Sequence, residues 1–114
     1  MKTIRIVIMI LFVSATGVPF DAYGAGAAEV GDADKGLLLA KQWCASCHLV
    51  AADQASTVQT MAPPFAVVAK GMDAARQEQL RTWLTVPHAA MPDLKLSRQD
   101  IADLLAYLQR LAAH

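Results

Sequence analysis

Residues 44 to 48 read Cys44-Ala45-Ser46-Cys47-His48, and they contain the only two cysteines of the 114-residue chain. C-x-x-C-H is the pattern of covalent c-type haem attachment. Chemistry explains the spacing. Two thiols separated by two residues reach the two vinyl groups of one porphyrin, and the adjacent histidine comes beneath the iron as its proximal ligand. A structural zinc site normally wants a second ligand pair at short spacing, whereas His88 and His114 each stand alone. A redox-active dithiol is expected beside a βαβ pattern, and no stretch here alternates apolar with polar residues long enough to suggest a strand.

Outward from the motif, every regular element reads as helix, so the fold class is all-α. On the N-terminal side, Asp32 or Gly31 caps a helix to about Trp43, with Ala33, Gly36, Leu37 and Ala40 on one face. That face is unusually small. Glycine in a helix costs roughly 1 kcal/mol of propensity, and close approach of a second helix is the compensating reason for Gly36. Beyond the motif, residues 49 to 64 read as loop ending at Pro63-Pro64, and Phe65 to Lys70 as one or two helical turns before Gly71. Asp73 caps a helix to Thr85 with Leu80, Trp83 and Leu84 as its buried stripe, and Pro87 stops it. Residues 86 to 96 form a loop stiffened by Pro87 and Pro92. The last helix starts at Ser97, with Asp100 completing a capping box and Leu96 and Ile101 a hydrophobic staple. Its apolar side is Ile101, Leu104, Leu105, Leu108 and Leu111.

Composition narrows the class further. Ten basic and ten acidic side chains leave no positive excess to meet a phosphate backbone, so nucleic acid is excluded as a partner. One possible disulfide is too few for a disulfide-built secreted scaffold. The hydrophobic content of 55% is inflated by the N-terminus, where Lys2 and Arg5 precede the apolar run Ile6 to Val13. That run falls well short of the ~20 residues a spanning helix needs, and it reads as a secretory signal cut after Ala27, with Ala22-Tyr23-Gly24 as an alternative site. Residues 1–27 are therefore expected to be a cleaved signal peptide and residues 28–114 the mature domain, in the periplasm. Membrane association is expected only if the signal is retained.

From Gly31 to Leu111 the chain resembles the small monohaem class I cytochromes c. The matching residues are Gly36 eight positions before the first cysteine, the C-A-S-C-H motif, the Pro63-Pro64 loop, Met91-Pro92, and the closing I-A-D-L-L-A-Y-L of residues 101 to 108. The resemblance implies a cytochrome c fold, with crossing N- and C-terminal helices wrapped around one covalent haem c and Gly36 set against the helix bearing Tyr107. Ala40 stands where the family usually has an aromatic, and Tyr107 is expected to fill that space. The resemblance also implies that Met91, just before Pro92, is the distal iron ligand. His88, Met61 or an open site are the alternatives. A carbonyl of Pro63 or Pro64 is expected to accept from the Nδ1–H of His48, and Trp83 to donate to a haem propionate or to serve as core.

With His48 and Met91 both on iron, no coordination position is left for oxygen or peroxide, and the function implied is one-electron transport rather than catalysis. Cys44, Cys47, His48 and Met91 are the cofactor-binding residues, with His48 and Met91 on the metal. The partners implied are a redox donor and acceptor that dock transiently on a monomer, through interfaces below ~1,200 Å². Two alternatives keep the haem: an electron-transfer subunit of a periplasmic oxidoreductase, and a five-coordinate gas-binding or peroxidase-like protein. A core this small needs a staple, and the porphyrin supplies it. Changing both Cys44 and Cys47 to Ala is therefore expected to abolish stable helicity, which circular dichroism of the purified variant checks.

Overall fold

Gly31 and Gly36 bring two distant parts of the chain into backbone contact. In the computed structural model, which describes residues 29–55, 62–86 and 91–114, a Cβ placed on Gly36 would lie 2.0 Å from the Asp103 carbonyl oxygen and 2.8 Å from Cβ of Tyr107. A Cβ on Gly31 would meet the Ala102 carbonyl oxygen at the same 2.0 Å. The first helix, α1 (Ala33–Leu39), thus crosses the last, with its small face inward as the spacing of Gly36 and Ala40 requires. Gly31 takes part in the crossing and is not the cap. Asp32 is the N-cap, its carboxylate accepting from the amides of Asp34 at 2.9 Å and Lys35 at 3.2 Å.

After Leu39 the helix does not simply continue to Trp43. Ala40–Cys44 form a π-helical turn, closed by the Ala45 amide donating to the Ala40 carbonyl at 3.0 Å. The pattern of small residues gives no sign of this wider turn, because Ala40 and Cys44 both remain buried in either geometry. Single π-turns inside helices occur frequently at functional sites, and this one leads into the cysteine pair.

Three further helices complete the described residues: α2 (Phe65–Val68), α3 (Ala74–Thr85) and α4 (Arg98–Ala112). Gly71, at φ +65°, turns the chain from α2 toward Asp73, whose carboxylate caps α3 through the Arg76 amide at 2.8 Å. Within α3 the expected stripe is corrected at one position. Leu80 is buried and Leu84 packs against the core, but Trp83 is 47% exposed, with the Arg76 guanidinium 5.4 Å from its ring centroid. The inward face of α3 is narrow, and Leu80 and Leu84, one turn apart, fill it. The all-α expectation holds: the described residues are mostly helical and include no strand.

The core lies between α4 and everything else. Ile101, Leu104, Leu105, Tyr107 and Leu108 meet Ala40, Val50, Phe65, Ala69 and Leu80, and Leu96 and Leu111 pack at the margin. Each fully buried aliphatic side chain contributes about 1.5–3 kcal/mol. One carboxylate, that of Asp103, is buried among them. It accepts from the Asp32 amide at 2.7 Å and from Nε2 of Gln99 at 2.8 Å, and Gln99 also donates to the Val30 carbonyl at 3.1 Å. The end of α1 is thereby fastened to α4 by polar bonds as well as by contact. The capping box of α4 is present: the Ser97 hydroxyl accepts from the Asp100 amide at 3.1 Å, and the Asp100 carboxylate accepts from the Ser97 amide at 2.9 Å.

Gly36→Ala separates two effects of opposite sign. Alanine favours the helix by about 1 kcal/mol, but forced overpacking costs typically 1–3 kcal/mol and more when backbone must move, and here the obstacle is backbone. A net loss of about 2 kcal/mol is expected, seen as a Tm lower by roughly 10 °C. The Ser97 hydroxyl and amide hold the Asp100 carboxyl below its ordinary 3.8. A depressed folded-state pKa means stabilisation present above 3.8 and lost as pH falls through the folded value. Asp100→Asn should therefore reduce the loss of stability on acidification, measured by denaturation from pH 7 downward.

Candidate cofactor-attachment site

The π-turn delivers Cys44 to the interior, and the chain then closes tightly on it. The amides of Cys47 and His48 both donate to the Cys44 carbonyl, at 3.1 and 2.8 Å. Both cysteines are free thiols, Cys44 buried and Cys47 exposed. Burial, with Cys47 nearby as a smaller cause, pushes the Cys44 thiol up to about 11, so at neutral pH it stays protonated. The two sulfurs are not joined in a disulfide.

His48 follows directly. Its Nδ1 donates to the Pro63 carbonyl at 2.7 Å, which leaves Nε2 as the ring's available acceptor. Of the two candidate carbonyls the bond goes to Pro63, for a local reason. The Pro64 carbonyl starts α2 and already accepts from the amides of Val67 and Val68, at 2.9 and 3.0 Å. Phe65 sets its ring edge-on to the imidazole, with centroids 5.3 Å apart, and its amide donates to the Leu49 carbonyl at 2.9 Å. The loop after the motif and the start of α2 are thus one hydrogen-bonded unit around His48.

Two residues organise this loop: Gln54, which the sequence reading did not single out, and Tyr107, whose hydrogen bond it did not foresee. Gln54 accepts from the Val50 amide at 2.9 Å and donates to the carbonyls of Ala45 and His48, each at 3.1 Å. Tyr107, expected to fill the space beside Ala40, belongs with it to the buried core, and its hydroxyl donates to the Val50 carbonyl at 2.7 Å. Burial raises the Tyr107 pKa, which keeps the phenol protonated and able to donate. Lys41 and Asp53 add an ion pair at 3.5 Å between the π-turn and the loop, exposed and of small energetic weight. A glutamine six residues beyond a cysteine motif carries no signal of its own, since loops are generally rich in polar residues.

Met91 lies partly buried in a shallow, solvent-open cleft between α3 and the segment before α4, lined also by Trp83, Leu84, Val86, Pro92, Asp93, Leu94 and Leu96. The structure therefore brings Cys44, Cys47 and His48 together on one turn. Met91 shares this cleft with Trp83, the residue expected either to donate to a propionate or to serve as core. The other two candidates for the distal position, His88 and Met61, lie outside the described residues, as do residues 1–27.

This donor set fits a porphyrin. Among the described residues no three His, Cys, Asp or Glu side chains are placed to hold a bare metal ion. Two free thiols three residues apart, followed by an imidazole whose Nδ1 is committed to a carbonyl, suit instead an iron that brings its own equatorial ligands.

The comparison with known proteins agrees. The family model described as cytochrome c matches residues 33–112, and the chain belongs to the cytochrome c family. It is similar to the cytochrome c-552 of Bradyrhizobium diazoefficiens, 42% identical over 90 residues that cover 79% of this chain and 85% of that one. No solved structure matches the chain significantly. Family membership gives the chain covalent haem c and the role of an electron carrier working with other redox proteins. Among the described residues no helix is long and apolar enough to cross a membrane.

Tyr107→Phe removes one hydroxyl and leaves the buried Val50 carbonyl without its donor. A loss of about 1–2 kcal/mol is expected, measured by denaturant unfolding of the haem-loaded protein, with the α1–α4 crossing itself preserved.

Proposed function

We propose that this chain is a periplasmic one-electron carrier with a single haem c, in which Cys44 and Cys47 form the thioether links, His48 is the proximal ligand and Met91 the distal one. The observation that carries the reading is the bond from His48 Nδ1 to the Pro63 carbonyl beside two free cysteines. It fixes the imidazole tautomer and leaves Nε2 for the coordinating role. When bound, the haem supplies an iron that cycles between ferric and ferrous. The chain's own residues do the rest. The π-turn and the Cys44-centred turn hold the thiols at a fixed separation, Phe65 limits rotation of the imidazole, and Met91 offers a thioether in the cleft between α3 and the segment before α4.

A thioether is a soft donor and favours the ferrous state, so His/Met ligation places the potential above that of a bis-histidine haem. Two protein ligands also fill the coordination sphere, which favours electron transfer over catalysis. Residues 1–27 fit a signal removed on export, leaving residues 28–114 as the working protein. Near-neutral charge suits brief encounters whose rate is set by shape and apolar contact more than by long-range steering.

Carbon monoxide tests the ligand set. Added to the reduced protein at neutral pH, it is expected to bind slowly and incompletely, whereas the Met91→Ala protein should bind it rapidly and stoichiometrically. Rapid, stoichiometric binding by the unaltered protein would instead favour the five-coordinate reading. The Met91→Ala protein should also lose the sulfur-to-iron absorption of its oxidised spectrum.

A further inference from the structure

Gln54 is the side chain whose bonds converge on the attachment peptide without touching a thiol or the imidazole. Its carboxamide has two N–H donors and one carbonyl oxygen, and all three are committed to backbone. The donors go to Ala45, between the cysteines, and to His48, each at 3.1 Å, and the oxygen takes the Val50 amide at 2.9 Å. Only a carboxamide of this length meets that pattern. A carboxylate keeps the acceptor and lacks both donors, and an aliphatic side chain lacks everything. The Val50 peptide is held from its other side by the Tyr107 hydroxyl at 2.7 Å, so the loop is fixed between α4 and the motif. Pro63 controls rotation of the imidazole. The height and tilt of the peptide that carries it fall to Gln54.

We propose that Gln54 is a positioning residue for the proximal histidine, setting His48 relative to the two thiols by bridging the carbonyls of Ala45 and His48. This rests on the haem ligation proposed above. The two N–H dipoles also compensate the negative ends of those carbonyls. Their removal leaves partial negative charge beside the haem peptide, which stabilises the ferric form and lowers the potential.

The test uses the full chain matured with haem, together with Gln54→Leu, Gln54→Glu and, as a control that loosens the core away from the loop, Ile101→Val. Covalent haem is read by mass spectrometry, the reduction potential at pH 7, and exchange of the Val50 amide by NMR. Gln54→Leu and Gln54→Glu are each expected to shift the ferrous–ferric equilibrium at least threefold toward ferric, roughly 28 mV at 59 mV per tenfold. Ile101→Val should leave the equilibrium unmoved. Exchange at Val50 should accelerate at least tenfold in Gln54→Leu and stay slow in Gln54→Glu, which keeps the acceptor. If both Gln54 variants carry haem with potentials within twofold of the unaltered protein, the positioning role is overturned. Failure of both to load haem overturns it too, since Gln54 is then required for folding. An unaltered chain without covalent haem would instead overturn the ligation reading, a separate result seen before any variant is compared.

Discussion

The contact between the backbones of α1 and α4 governs what the other residues do. A helix normally keeps its neighbours at a distance set by side chains, about 8–10 Å between axes. At Gly31 and Gly36 there is no side chain, and the carbonyls of Ala102 and Asp103 occupy the space where a Cβ would be. Such an approach excludes water from polar backbone and so demands partners for it. Asp103 supplies one, accepting the Asp32 amide from within the core. With α1 pinned in this way, the π-turn and the cysteine motif that follow have a fixed origin. The turn around Cys44 inherits its position from a crossing about two helical turns away.

Around the motif, positioning relies on hydrogen bonds more than on apolar contact. His48 is held through its ring by Pro63 and through its carbonyl by Gln54, while Val50 is held through both its amide and its carbonyl. Bonds of this kind are modest in net stability, and those to Val50 and the His48 carbonyl, buried or half-buried, are costly to leave unmade. A loop so tied keeps its geometry when the charge on an adjacent centre changes. That is a useful property for an electron carrier, because structural rearrangement on electron transfer slows the reaction.

Much of this was legible from residue order. The capping box at Ser97 and Asp100, the cap at Asp73 and the turn before Gly71 follow from local chemistry, and the structure has them where the residues suggest. Gly36 against Tyr107 was readable through the family resemblance. Besides the wide turn at Ala40–Cys44, three side chains were not. Asp103 is a charged side chain with no local partner of opposite sign written into the pattern of α4, so its burial depends on where the N-terminus of α1 arrives. Trp83 has the size and spacing of a core residue, yet the narrow inner face of α3 is filled by Leu80 and Leu84. The role of Gln54 depends on a loop closure that no local pattern encodes. In each case a tertiary contact decides between states that are equal at the level of sequence.

The widened turn at Ala40–Cys44 also makes the peptide ahead of the thiols unusually sensitive to length. Each residue of an α-helix advances the azimuth by about 100°, so returning these five residues to ordinary winding without removing one, or inserting another, would swing the first sulfur away from its present bearing. Substitutions along α1 can be absorbed by small shifts of packing, whereas an insertion between the crossing and the motif cannot. Relatives of this chain should therefore keep the interval from Gly36 to Cys44, or shorten it by one residue where the wide turn gives way to an ordinary α-turn.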